Sequence, residues 1–195
     1  MGCGNCVIPI FDSMTKKKVE SVLYCIDSND YQPDKLYGVY DWIHFDQIAW
    51  YRKQSAHFAS CNNGRPLPSL AFFHIPLLEY NELIGDGKTF GNDREGGVAS
   101  SKVNSGIFAS FLDRKDVMGV FAGHDHDNDY VGINKRILLG YGRVTGADAY
   151  GELIRGARII ELYEGEFKFD TWIATLSGRE AIYYYPSGLN SDEER

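Results

Sequence analysis

Val117-Met118-Gly119-Val120-Phe121-Ala122-Gly123-His124-Asp125-His126 decides how this chain folds. Six apolar residues without alternation describe a strand buried on both faces, as in a sheet with parallel pairing. The strand ends at a glycine and releases two histidines one residue apart, followed by Asp127, Asn128 and Asp129. Neutral imidazole is a common protein ligand for zinc, iron and manganese, and neighbouring carboxylates can ligate or orient the rings. A polar turn between strands is the alternative. Asp125, Asp127, Asn128 and Asp129 read as solvated loop residues, with support of the histidines as their other role.

Leu70-Ala71-Phe72-Phe73 is a second apolar run and leads into His74-Ile75-Pro76. In layered α/β folds, ligand sites gather where buried strands leave one sheet edge, so two strands ending in histidine would bring His74, His124 and His126 together. The other elements fit an α/β class. Val7 to Phe11 and Val19 to Ile26 read as strands that pair across the polar 12–18 connection. Phe45 to Ser60 carries Ile48, Trp50, Tyr51 and Phe58 near helical spacing, and Asn62-Asn63-Gly64-Arg65-Pro66 ends it. Ser105 to Arg114 reads as a second helix, and Gly85 to Ser100, rich in Gly, Asp and Asn, as a surface loop long enough for a functional role or mobility. Ile137 to Tyr141, Ala157 to Tyr163 and Phe167 to Ala174 read as strands, the last two forming a hairpin across Glu164-Gly165-Glu166. Tyr183-Tyr184-Tyr185 reads as strand packing. One domain is expected over 1–189, with a frayed charged tail at 190–195.

The chain has 195 residues, 44% of them apolar, which is enough for one domain with a core. A net charge of -7, with no basic block, leaves no face to neutralise phosphates, so no nucleic-acid partner is expected. No run approaches the ~18 apolar residues of a membrane-spanning helix. Met1 to Cys6 lacks the basic and apolar regions of a signal peptide, which makes the cytoplasm the default expectation unless the N-terminus is shortened. Cys3-Gly4-Asn5-Cys6 has Cys-x-x-Cys spacing, but no second pair completes a zinc ribbon and no helix follows it. These cysteines read as adventitious.

His74-Ile75-Pro76-Leu77, Asn104-Ser105-Gly106-Ile107, Gly123-His124-Asp125-His126 and Tyr141-Gly142-Arg143, in that order, resemble the C-terminal half of the calcineurin-like metallophosphoesterases, in their purple-acid-phosphatase-like branch. The resemblance runs from about Gly4 to Tyr163 and includes Asp46-Gln47-Ile48-Ala49-Trp50. It implies part of an αββα sandwich, mainly its C-terminal sheet with flanking helices. It also implies phosphomonoester or phosphodiester hydrolysis by a hydroxide activated between two metals about 3.5 Å apart. By the resemblance His74 and His124 bind one metal and His126 the other, the metals being Fe, Mn or Zn, and Tyr80 and Asn81 line the pocket. Arg143 could bind phosphate oxygens, with a salt bridge as the alternative.

The family's other ligands are an Asp-x-His pair, a bridging Asp of a Gly-Asp motif and the Asn of a Gly-Asn-His motif whose His serves as general acid. None stands here in the family order. His44 and His57 are the only other histidines, and Gly85-Asp86 and Gly91-Asn92-Asp93 come after His74. The catalytic acid is therefore unassigned, and at most one weakly held metal is expected. Two cations without a bridging carboxylate would repel each other. A half-sandwich also leaves an apolar face for a second copy or for the missing N-terminal half to cover. Beside the phosphohydrolase reading stand a noncatalytic homodimeric or partner-binding remnant of the same fold and a mononuclear three-histidine metal hydrolase or cupin-like oxygenase.

Overall fold

The computed structural model describes residues 3–85, 87 and 89–188; Asp86 and the tail at 190–195 lie outside the described residues. β1 (Cys6–Phe11) and β2 (Val19–Cys25) pair antiparallel. Asp12 makes their turn: its carboxylate accepts the backbone N–H of Thr15, Lys17 and Lys18, so one side chain satisfies amides that the ladder leaves free. α1 (Phe45–Cys61) opens where Gln47 Oε1 accepts the His44 N–H at 2.9 Å. It buries Ile48, Tyr51, Ser55, Phe58 and Ala59, spaced three or four apart. It closes through Asn63 and Gly64 at positive φ, the Gly64 N–H returning to Ala59 O at 2.8 Å.

β3 (Ser69–Phe72), β4 (Thr89–Phe90), α2 (Ile107–Arg114), β5 (Val117–Ala122), β6 (Val131–Asn134) and β7 (Ile137–Tyr141) follow. With β1 and β2 these strands make one sheet in the order β1-β2-β3-β5-β7-β6-β4, in which β2, β3, β5 and β7 run parallel. β8 (Gly156–Leu162), β9 (Phe169–Thr175) and β10 (Gly178–Tyr185) form a separate antiparallel sheet in the order β10-β9-β8. The expected mixed α/β class holds. Beyond expectation, β10 extends back from Tyr183 to Gly178, and two short strands appear: β4 within the 85–100 stretch and β6 between β5 and β7. Both are edge-side strands of few residues. Gly132 interrupts the apolar pattern of β6, and only pairing with β7 and β4 makes a strand of it.

The large sheet has two differently covered faces. On one, α1 and α2 pack Tyr51, Phe58, Phe108 and Phe111 against Tyr24, Ala71, Val120 and Leu139. On the other, the small sheet packs Phe169 and Ile160 against Leu70, Phe121 and Leu138. Gly119 and Gly140 make this contact possible: a Cβ at Gly119 would stand 3.0 Å from Phe169 Cζ, and one at Gly140 3.0 Å from Val131 Cγ1. The small sheet is too narrow for the whole face. Ile8 and Ile10 stay exposed, Leu23 and Phe72 are half-buried, and a cleft of ≈ 470 Å³ opens between Phe72, Phe121 and the β8 residues Arg158 and Ile160.

On the helical face the carboxylate of Asp116, 2% exposed, accepts the hydroxyls of Tyr24 (3.1 Å) and Tyr51 (2.5 Å). Burial first, then the Asp116 charge, raises both phenols well above their ordinary pKa. Replacing Asp116 with Ala removes the carboxylate that accepts two buried hydroxyls and is expected to cost about 2–4 kcal/mol. Urea unfolding checks this; a midpoint unchanged from the parent would refute it.

Candidate functional site

Two parallel neighbours deliver the histidines. β3 and β5 are in register with Ala71 opposite Val120 and Phe72 opposite Phe121, and the pairing continues beyond the strands. Phe73 N–H donates to Phe121 O at 3.2 Å, and Gly123 N–H to His74 O at 3.1 Å. His74 and His124, each two residues past its strand, therefore leave the same sheet edge side by side. Ser28, just beyond β2, fixes the first turn: its Oγ accepts the N–H of His74 (3.2 Å) and of Ile75 (2.9 Å). Gly123 leaves room for the imidazole, since a Cβ there would stand 3.3 Å from His74 Nδ1. His124 adopts φ 78°, a conformation that costs a non-glycine residue energy and recurs where side chains are aimed at functional sites.

His124 Nδ1 lies 3.1 Å from His74 Nε2, and the rings are perpendicular with centroids 5.0 Å apart. Tyr40 meets the other side of His124 edge to face at 4.6 Å. Burial, and then the nearby rings of His74 and His126, lower the His124 pKa against the opposing pull of Asp125. The imidazole is thereby biased to the neutral form that can act as a ligand. For metal–nitrogen bonds of about 2.0–2.1 Å, two adjacent ligand nitrogens sit about 2.9–3.4 Å apart. The His74–His124 separation fits a pair of imidazoles sharing one cation, and equally a pair sharing one proton.

His126 stands on the next turn and faces elsewhere. Its ring stacks on Tyr150 at 3.9 Å, with Nδ1 3.1 Å from Tyr150 O. A carbonyl only accepts, so Nδ1 carries a proton, which in the neutral ring leaves the lone pair on Nε2, the tautomer typical of a ligating histidine. The Tyr150 hydroxyl accepts the His126 N–H at 3.3 Å and donates to His124 O at 3.2 Å, tying the two turns together. Among the described residues, no group of three or more His, Cys, Asp or Glu side chains could hold a metal ion. The structure thus brings together two of the three histidines singled out in the sequence.

Asp125, Asn128 and Asp129 are buried rather than solvated as expected, whereas Asp127 stays partly exposed. Asp125 is buried and accepts the Tyr141 hydroxyl (2.7 Å) and the Ala99 N–H (3.2 Å). Asn128 Oδ1 accepts the N–H of Arg94 (3.0 Å) and Glu95 (3.2 Å), and Asp127 those of Glu152 and Leu153. These side chains hold the 92–97 and 150–153 loops against the strand end by accepting backbone amides that no ladder pairs. The Leu153 amide leads the causes that hold the Asp127 pKa below the ordinary carboxylate value.

Arg143 is equally engaged. Its Nε donates to Asp129 Oδ2 at 2.8 Å, Nη2 to the same carboxylate and to Glu180 Oε2 (3.1 Å), and Nη1 to Ile154 O (2.6 Å). Both partners of the Asp129 pair are buried. Tyr80, which the resemblance places at the pocket, is instead a core crosslink: its hydroxyl donates to Val120 O and Gly140 O, both at 3.0 Å. Sequence reading missed Ser28, Tyr40 and Tyr150, because single polar residues in turns carry no pattern. Arg158 was the one with a signal, a cation within the apolar β8 run. Its Nε reaches Tyr141 O at 2.5 Å and its Nη1 reaches Thr171 Oγ1 at 3.1 Å, bracing β7 and β9.

No family model matches the chain. Among curated proteins, it is 36% identical to "Probable inactive purple acid phosphatase 29" of Arabidopsis thaliana, across 90% of this chain and 48% of that protein. It is 38% identical to "Probable inactive purple acid phosphatase 28" of the same plant, across 77% of this chain and 38% of that protein. "Phosphatase DCR2" of Saccharomyces cerevisiae is 33% identical, across 98% of this chain and 35% of its own length. The chain thus spans under half the length of these relatives. With histidines at two parallel strand ends and these relatives alongside, the chain belongs to the purple-acid-phosphatase-like metallophosphoesterases, matching them as a C-terminal half would.

Proposed function

We propose that this chain supplies the histidine side of a two-metal phosphoesterase centre, acting on phosphate mono- or diesters once a further segment brings the carboxylate ligands. The observation that carries this is the 3.1 Å approach of His74 Nε2 and His124 Nδ1 at one sheet edge, with no third donor beside them among the described residues. His74 and His124 would hold one metal of Fe, Mn or Zn type, and His126, through Nε2, would contribute to the second. When bound, such metals polarise the phosphoryl oxygens and acidify water. The chain's own residues bias His124 towards the neutral form, set the His126 tautomer through Tyr150 and hold the two strand ends in register.

The segment that completes the site would lie over Ile8, Ile10, Leu23 and Phe72, beside the unpaired edge of β8. Relatives more than twice as long as the matched stretch make such a covering segment the natural occupant. A second copy of this chain would repeat the histidines without supplying the Asp-x-His, Gly-Asp and Gly-Asn-His motifs in the family order. The parallel β2-β3-β5-β7 core is not the jelly roll of a cupin-type enzyme. A noncatalytic binding role is the second reading, favoured by the same open face.

Hydrolysis of p-nitrophenyl phosphate and its bis ester, with added Mn, Fe or Zn, tests the proposal. The isolated chain is expected to match a His124→Ala/His126→Ala control, whereas addition of a segment carrying the Asp-x-His, Gly-Asp and Gly-Asn-His motifs should produce turnover that the control lacks. Turnover by the isolated chain, lost in the double variant, would show that no further segment is needed. A complex that forms and stays inactive with every metal would favour the binding role.

A further inference from the structure

The Cys3-Gly4-Asn5-Cys6 motif has no part in the site above, and the structure gives Cys6 a different neighbour. Cys6 stands directly opposite Cys25 in the β1–β2 ladder. Val22 N–H donates to Pro68 O and Ile26 N–H to Phe72 O, so the even-numbered residues of β2 turn their backbone groups towards β3. Cys25 therefore turns its own towards β1, and Cys6 and Cys25 form a hydrogen-bonded pair, for which the Cα separation is about 5.5 Å. A disulfide requires about 4.4–6.8 Å. Directly opposed residues also project to the same face, here the open face that carries Ile8 and Leu23. The two thiols are close enough for Cys6 to act on the ionisation of Cys25, and both are free.

We propose that Cys6 and Cys25 are a redox-active pair that closes into a cross-strand disulfide under a small-molecule disulfide oxidant such as oxidised glutathione. Cys6 is exposed and Cys25 only partly so. Burial, then the Cys6 thiol beside it, holds the Cys25 pKa above its ordinary value, so Cys6 is the thiol that meets the oxidant first. The Cys6 thiolate attacks one sulfur of oxidised glutathione, forming a mixed disulfide and releasing one glutathione thiolate. The Cys25 thiolate then attacks the Cys6 sulfur and releases the second. Two protein thiols give up two protons and two electrons, and one glutathione disulfide becomes two glutathiones. The bridge ties the sheet's edge strand to the strand whose continuation carries Ser28, the residue that anchors the His74 turn. It therefore places a redox-sensitive staple on the open face, next to the histidine site. Where the covering segment proposed above is not seated, a bridge on this face is exposed and readily reduced.

Cys3 and Cys61 serve as internal controls. The Cys3 backbone is bound to Asp27, and Cys61 lies at the end of α1 with its sulfur 3.9 Å from His57 Nε2. The reduced chain is equilibrated with oxidised glutathione, trapped with iodoacetamide, and mapped by mass spectrometry after digestion. The expected result is loss of two of the four thiols, a Cys6–Cys25 peptide crosslink with no retained glutathione, and full recovery on adding dithiothreitol. Cys3→Ser/Cys61→Ser should behave in the same way, and Cys6→Ser should form no intramolecular bridge. A crosslink between Cys3 and Cys6, four titratable thiols after oxidation, or a bridge that persists in Cys6→Ser would each overturn the assignment. Because the map is read on the unaltered chain, the result does not depend on any variant folding, nor on the metal centre proposed above.

Discussion

Arg143→Ala is expected to destabilise the fold by about 3–5 kcal/mol, because it strands the Asp129 carboxylate without its cation in a place water does not reach. The side chains of Arg143 and Asp129 are 1% and 0% exposed. Asp129 has no route to solvent through rotation: its Oδ1 is held by Asn92 N–H at 2.6 Å and by Asn92 Nδ2 at 3.1 Å. The guanidinium also satisfies Ile154 O and Glu180, so its removal unties β10 and the 150–154 loop at once. For a chain of this size, the loss corresponds to a fall in Tm of roughly 10 °C or more. Arg143→Lys should recover little of it, since an ammonium cannot make the forked contact to one carboxylate while reaching two further acceptors. Scanning calorimetry of the two variants and of Asp129→Asn measures this. A Tm within about 2 °C of the parent for Arg143→Ala would mean that the pair contributes no more than a surface ion pair.

Phe169→Ala carries the second large expectation, about 3–5 kcal/mol. The ring is fully buried, stacks on Tyr185 with centroids 4.9 Å apart and meets Phe121 edge to face at 5.9 Å. It fills the space that Gly119 leaves on the large sheet. Neither glycine nor the strand backbones can close in to fill the void, so most of the cavity should persist and the full cost be felt. The loss should also be local in character. Amide exchange in β8, β9 and β10 is expected to accelerate more than in β3, β5 and β7, because Phe169 is the main anchor of the small sheet. Phe169→Leu, which refills part of the volume, should recover about half of the loss. Equal acceleration in both sheets would show that they unfold as one unit.

These two residues also show where sequence reading succeeded and where it stopped. The run Val117 to Ala122 and the run Ile137 to Tyr141 were legible to the residue, because continuous apolar character has one stable destination, a strand buried on both sides. α1 was legible because its apolar positions recur at helical spacing and Asn63-Gly64 ends it with positive φ. β4 and β6 were not, since strands of two and four residues with polar neighbours exist only through their partners. Phe169 reads as a strand residue like any other; nothing local says that Gly119 lies beneath it. Arg143 reads equally well as a phosphate clamp or as half of an ion pair, because the choice depends on whether a carboxylate arrives from 14 residues upstream.

What the sequence determined by itself is the family, the mixed α/β class and the identity of the histidines, all of which follow from residue order and apolar patterning along single strands. The tertiary structure decided which of those residues meet. The parallel β3–β5 register sets His74 against His124, Tyr150 draws His126 aside, and the acids that look like ligands turn inwards to satisfy loop amides and Arg143. The same pairing of strands places Cys6 across from Cys25 rather than with Cys3. Contacts of this kind depend on register between strands distant in the chain. A one-residue slip would reverse every side chain while leaving the sequence pattern unchanged.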